Sequence, residues 1–359
     1  MKTVHARFLP LFFLPLLMTA PVVLNGQIEV AWFDSTSHQE HDRAIFFTNR
    51  KPKKTDDGSL AFRNRWTRQT DNLYFCLFDF ENDSILLKYR ATKTSGKYEF
   101  PTRKVGDNIF YKVYEDLRID RGIRNINFIV PGYAKTFENQ VYSYMYRLQK
   151  YYADTLQENT VFITFAWGDQ ATPMFYYKGK RSANRAANDF AIFQHMLEDF
   201  LSDSAYFATH PDDVRFKLVC MSMGNQLLKR YMIKREQQDI DFYPTYDWTV
   251  FIGSDASNDS FEEGKGFDDL HLMSDSVLIL VNRKDGPLRM SQWMNTKTRM
   301  GLSGPRDMDE VPGNVVVKDI TGLISWEDLP AMGHDYFLRN HVLRDSLIHV
   351  QSRTYPPLP

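Results

Sequence analysis

The stretch Lys217 to Leu228, K-L-V-C-M-S-M-G-N-Q-L-L, constrains this chain more than any other. A short apolar run, Leu218-Val219-Cys220, halts at Met221-Ser222-Met223-Gly224, and helical spacing resumes at Leu227, Leu228 and Tyr231. A strand, a sharp turn carrying a serine and a helix in immediate succession lift the hydroxyl above the edge of a sheet. The helix beginning beneath it turns unpaired N–H groups and the positive end of its dipole toward any oxyanion formed there. Crowding of the backbone in such a turn calls for small flanking residues, a need met by Cys220 and Gly224. Ser-x-Gly alone recurs by chance, so the meaning of the turn depends on what surrounds it.

The surroundings change character along the chain. Met1 to Gly26 has the pattern of a secretory signal: Lys2 and Arg7 at the start, an apolar Phe8 to Met18, then small residues at Ala20 and Gly26. The apolar run is short and broken by Pro10 and Pro15, which disfavours a membrane span. Cleavage near Gly26, or after Ala20, would leave an exported chain with no stable span, periplasmic or secreted; an uncleaved anchor is the alternative. Residues 27–120 are expected to form a strand-rich extension of antiparallel strands leading into, or packing on, the main sheet, with strands at Ala44 to Thr48, Leu73 to Phe80, Ser84 to Arg90 and Lys97 to Phe100. Lys51 to Gly58 is a polar connection in this reading.

From residue 121 onward apolar strands alternate with longer helical segments. Asn127 to Val130, Thr160 to Trp167, Phe216 to Cys220, Trp248 to Gly253, Ser276 to Val281 and Asn314 to Ile320 are the strands. Phe137 to Tyr152, Asn184 to Leu201, Asn225 to Glu236 and Phe337 to Val350 are the helices. This alternation predicts an α/β architecture over residues 121–359, a mostly parallel central sheet with helices on both faces. Reactive groups then belong at the carboxyl ends of its strands.

A serine nucleophile needs a base, and the base needs an orienting carboxylate; in sheets of this kind they follow the serine in the order acid, then histidine. Asp285 lies just past the strand Ser276 to Val281, and Asp255 just past the preceding strand, so both are candidate acids. His334, in Gly333-His334-Asp335-Tyr336 before the final helix, is the candidate base. His271 sits before a strand and His341 inside a helix, positions more natural for solvent or packing. Oxyanion donors come from the loop after the first core strand and from the residue after the nucleophile, which assigns the N–H groups of Tyr133 and Met223, with Gly132 permitting close approach. Read alone, Pro131-Gly132-Tyr133 is equally an ordinary strand-ending turn. Gly168 to Arg185 is polar and aromatic; Tyr176, Tyr177 or Arg181 would touch substrate if it caps the pocket, or it is a surface loop packed by its own side chains.

These motifs together resemble a bacterial α/β-hydrolase family carrying a domain-of-unknown-function label, over about Asn125 to Val350. The resemblance rests on V-P-G-Y at Val130 to Tyr133, F-A-W-G at Phe165 to Gly168 and M-S-M-G-N at Met221 to Asn225. It extends to N-R-K-D-G-P-L at Asn282 to Leu288 and Gly333-His334. It implies the α/β-hydrolase fold, with Ser222 as nucleophile, Asp285 rather than Asp255 as acid and His334 as base. Two departures stand out: Pro131 and Met221 occupy positions where the family carries histidine. Neither belongs to the triad, and both make the vicinity of the serine more apolar.

The implied activity is hydrolysis of an ester, thioester or amide in a small-molecule or acyl-ester substrate, with no cofactor or metal. A catalytically silent binding protein on the same fold is the alternative. Lys and Arg number 44 against 45 Asp and Glu, which gives no electrostatic case for nucleic acid or for an anionic membrane surface. The two cysteines, Cys76 and Cys220, lie in strand-like apolar runs and are expected to be free. No Cys/His cluster has zinc spacing. Oligomeric state and substrate identity are not encoded in these patterns.

Overall fold

A computed structural model of the chain describes residues 43–56, 58–63, 72–79, 84–92, 108–133, 136–137, 148, 159–168, 175–325 and 332–339. The expected signal, the strand at Lys97 to Phe100, His341 and most of the helices at Phe137 to Tyr152 and Phe337 to Val350 lie outside them. In chain order the strands are β1 (Arg43–Thr48), β2 (Pro52–Lys54), β3 (Leu60–Phe62), β4 (Asn72–Asp79), β5 (Ser84–Thr92), β6 (Asn125–Val130), β7 (Thr160–Phe165), β8 (Arg215–Met221), β9 (Tyr246–Ile252), β10 (Ser274–Val281) and β11 (Val315–Asp319). The helices used below are α1 (Ile109–Tyr114), α2 (Tyr176–Leu201), α3 (Gly224–Glu236), α4 (Gly286–Asn295), α5 (Met300–Ser303) and α6 (Tyr336–Arg339).

Among the described residues nine strands form one sheet in the order β11-β10-β9-β8-β6-β7-β1-β4-β5. Every neighbouring pair from β11 through to β1 is parallel. The last two, β4 and β5, run antiparallel to their predecessors. Because successive residues of a strand point to opposite faces, each strand feeds two cores. Phe47, Ile163, Leu218 and Ile279 face a layer containing residues of α1, α2 and α3. Phe46, Phe162, Val219 and Leu278 face the other side, with Phe137, Leu148, Tyr336 and Phe337. Both faces are therefore covered, as near-continuous apolar strands require. From β6 the chain moves outward to β7, then returns to place β8 on β6's other side. The loops after β6 and β8 diverge at that point, at the carboxyl ends of the strands, which is where sheets of this topology bind ligands.

Three features differ from expectation. The N-terminal strands do lead into the main sheet, but not all are antiparallel: β1 enters it parallel to β7 through the register Ile45–Ile163, Phe46–Thr164 and Phe47–Phe165. Lys51 to Gly58 is not a plain polar connection, since Pro52–Lys54 pairs antiparallel with Leu60–Phe62 as a hairpin. Helix α2 starts at Tyr176, about two turns ahead of Asn184, so Tyr176 to Arg185 is helix and not loop. The early turns hold because Gly179, Ala183, Ala186, Ala187 and Phe190 recur on one buried face. At Gly179 the approach is closest: a Cβ there would lie 2.6 Å from the Tyr133 ring. Cys76 and Cys220 are buried free thiols.

Candidate active site

Ser222 follows β8 with φ of 50°, a left-handed conformation that costs a non-glycine residue on the order of 1–2 kcal/mol. Surrounding hydrogen bonds hold it there. Its N–H donates to Ile252 O at 2.8 Å, and its carbonyl accepts from the Asn225 N–H at 3.1 Å, Asn225 Nδ2 at 3.1 Å and the Asp255 N–H at 3.2 Å. Gly224 then enters α3 against β6, where a Cβ would meet Val130 O at 2.2 Å. Gly132 leans on the nucleophile from the β6 loop, and a Cβ there would be 2.8 Å from Ser222 Cβ and 3.3 Å from its Oγ. Trp167, fully buried, donates its indole N–H to Pro131 O at 2.8 Å and so fixes that loop. The Met223 N–H, at the mouth of α3, makes no hydrogen bond among the described residues.

The second half of the site lies across the end of β9. Asp285 caps α4, its Oδ1 accepting from the Leu288 N–H at 3.0 Å. That bond fixes the carboxylate and leaves Oδ2 for His334 Nδ1 at 2.7 Å. Asp285 is fully buried, whereas the His334 side chain is 18% exposed. The loop bearing the histidine is anchored twice, by Asn282 Nδ2 donating to Gly333 O at 2.9 Å and by the Gly286 N–H donating to Met332 O at 2.8 Å. With Nδ1–H directed at the carboxylate, the Nε2 lone pair of the neutral ring is free to accept a proton. Burial lowers the His334 pKa, but the Asp285 charge and hydrogen bond outweigh it, with Asp335 and Asp255 adding to the rise above the ordinary imidazole value.

Gly253 joins the two halves. It has φ of 52°, and its imagined Cβ would lie 3.1 Å from His334 Cε1 and 3.5 Å from Asp285 Oδ2. Its predecessor Ile252 accepts the Ser222 N–H, and its own N–H donates to the buried Tyr336 hydroxyl at 2.8 Å. Serine and imidazole thus sit at neighbouring strand ends. Among the described residues the Ser222 hydroxyl has no hydrogen-bond partner.

The other candidates separate clearly. Asp255 is buried, but its carboxylate accepts from the Tyr176 hydroxyl at 2.7 Å and from the Ser291 hydroxyl, with Arg299 Nε 4.0 Å away. It is Asp285, not Asp255, that bonds the imidazole. Burial raises the Asp255 pKa against the opposing pull of Arg299 and these donors. Tyr176 is buried in the same network, burial and the Asp255 charge both raising its pKa. Tyr177 is exposed and donates to Met294 O at 2.6 Å, and Arg181 is exposed one turn further along α2. His271 is exposed before β10 and contacts Asp268 O through Nδ1.

Sequence reading overlooked Gly253, Asn282 and Tyr336. The signal for Gly253 was its place directly after an apolar strand, where a positive φ lets the chain turn under the imidazole. Among the described residues no group of three or more His, Cys, Asp or Glu is placed to hold a metal ion, and no helix is long and apolar enough to cross a membrane. Comparison with curated proteins gives no significant match. Residues 112–351, however, match the family described as "Alpha/beta hydrolase of unknown function (DUF900)", and they include Ser222, Asp285 and His334. The parallel sheet, the serine turn after β8 and that match over most of the chain together mean that the protein belongs to this α/β-hydrolase family.

Proposed function

We propose that the protein is a serine hydrolase acting on an ester, thioester or amide through an acyl-enzyme. The observation that carries the reading is the Asp285–His334 pair at 2.7 Å, held across Gly253 from a serine in a left-handed turn. In the proposed cycle His334 Nε2 takes the Ser222 proton as Oγ attacks the carbonyl carbon. The N–H groups of Met223 and Tyr133 receive the developing oxyanion. Collapse breaks the bond to the leaving group, which takes the proton from His334 and departs. Water then repeats the sequence and releases the acid. Asp285 holds Nδ1–H and stabilises the imidazolium without itself being protonated. The N-terminal segment is proposed to direct export.

Labelling with a fluorophosphonate tests this directly. The probe should phosphonylate Ser222, identified by peptide mass, and labelling should be lost in Ser222→Ala and fall by at least about a thousandfold in His334→Ala. A folded protein that never labels between mildly acidic and mildly basic pH would overturn the hydrolase reading in favour of a silent ligand-binding protein.

A further inference from the structure

Large apolar side chains are exposed near the histidine loop and the helix that Asp285 caps. Met332 is 57% exposed, Met290 58% and Trp293 81%. These three form a single stripe. Met332 covers the start of α4, since a Cβ on Gly286 would be 2.8 Å from its own Cβ. Gly286, Met290 and Trp293 are spaced four and three residues apart and so share one face of that helix. The stripe continues onto α2, because Tyr177, itself 53% exposed, donates to Met294 O and Lys180 Nζ to Asn295 Oδ1 at 3.0 Å. Phe175, 43% exposed, extends it with Lys178 Nζ 4.2 Å above its ring. One end of the stripe lies two residues before His334, and its central helix is the one Asp285 caps.

Cations predominate on the two helical segments of the stripe, with Asp335 the partly exposed acid near its Met332 end. Lys178, Arg181, Arg289 and Lys297 are all exposed on these segments. Neither Phe175 to Asn188 nor Gly286 to Thr298 contains an Asp or Glu, although the whole chain is close to neutral. Lys297 is paired with Asp259, whereas among the described residues the Arg289 guanidinium donates to the Arg283 carbonyl and to no carboxylate. An indole, a phenol and thioethers flanked by cations match the interface of an anionic bilayer. There, aromatic rings settle at headgroup depth while Lys and Arg meet lipid phosphates. A soluble polar substrate would give no reason to leave this much apolar surface in water at the site's edge.

From these observations we infer that the rim formed by Met332, α4 and the start of α2 docks on an anionic phospholipid bilayer and presents a lipid acyl ester to Ser222. The inference rests on the hydrolase reading for its substrate, but the docking itself does not require catalysis. Desorbing one acyl chain into water is costly, about 0.8 kcal/mol per CH₂. A nucleophile beside an embedded apolar rim spares the substrate that passage.

Co-sedimentation with large vesicles tests it, using phosphatidylcholine alone and phosphatidylcholine with added phosphatidylglycerol. The wild-type protein and Ser222→Ala should both bind the anionic vesicles, bind the neutral ones far less, and be released by salt. Replacing Trp293 and Met290 together by Ser should weaken binding roughly tenfold or more, and Arg289→Glu should do the same. Leu272→Ser, at an exposed apolar residue before β10 on the far end of the sheet, should leave it unchanged. Absence of wild-type binding to either vesicle overturns the inference, whatever the variants do. So does full binding by a folded Trp293/Met290 variant, or a dimer in solution that the same substitutions dissolve. Probe labelling of Ser222 without vesicle binding refutes the docking alone, and vesicle binding without labelling refutes the hydrolase reading alone.

Discussion

Replacing Gly224 by Ala sets two opposing effects against each other. At the first position of α3, Ala is the better helix former by about 0.5–1 kcal/mol, so propensity alone predicts a more stable protein. The surroundings oppose it, because the new Cβ would stand 2.2 Å from Val130 O and 3.0 Å from Pro131 O. Both obstacles are backbone, which cannot rotate aside as a side chain can. Restoring ordinary contact requires α3 and the end of β6 to part by about 1 Å, and overpacking of this kind costs roughly 1–3 kcal/mol. The upper end applies when main chain meets main chain, so a net loss of about 2 kcal/mol is expected. The same displacement draws the Met223 N–H away from the Gly132 loop. A misplacement of about 1 Å at a reacting centre costs on the order of a hundredfold in rate. Urea unfolding and the rate of fluorophosphonate labelling, measured on one preparation, check both numbers. A variant as stable as the parent, labelling at the parental rate, would refute the argument that glycine is there for contact.

Asp285→Asn should reduce the labelling rate by about 10³–10⁴, because the imidazole loses its orienting carboxylate and its tautomer preference. Asp255→Asn should instead lower stability by roughly 1–3 kcal/mol, since one of the Tyr176 and Ser291 donors loses its acceptor, while labelling persists at temperatures where the protein stays folded. The acid limb of labelling against pH should fall above the ordinary imidazole midpoint of about 6.5, and Asp285→Asn should shift it downward. A raised histidine pKa stabilises the fold below that midpoint and ceases to do so as pH rises through the folded value. Denaturant midpoints should therefore decline slightly over the pH range in which labelling rises.

The parallel core was legible because buried strands such as Thr160–Phe165 and Ser274–Val281 are short apolar runs separated by helical spacing. The serine turn was legible for a related reason: Met221-Ser222-Met223-Gly224 interrupts one such run just where a helix begins. Direction was not. The run Ile45-Phe46-Phe47 reads the same whether its neighbour is parallel or antiparallel, and only pairing with β7 decides it. Polar residues hid the first turns of α2, since Lys178-Gly179-Lys180-Arg181-Ser182 has the composition of a loop. The signal lay in the small residues at Gly179, Ser182, Ala183, Ala186 and Ala187, which let the helix press close. Helix α1 was disguised in the opposite way, its Ile, Phe, Tyr and Val residues suggesting a strand. Asp255 and Asp285 were both credible acids because each follows a strand at the same sheet edge. What separates them is a Tyr hydroxyl and a Ser hydroxyl arriving from α2 and α4, contacts that strand order does not encode.

The placement of β1 has a consequence for any attempt to isolate the catalytic half. The family match begins at residue 112, past β5, and a fragment cut there would retain every residue assigned to the chemistry. It would also strip β1 from β7, whose six residues are all buried. An uncovered, apolar strand edge offers its free N–H and C=O groups to the next molecule. Such a fragment should therefore polymerise edge to edge as it folds, and the N-terminal strands serve the protein as the guard on its open flank.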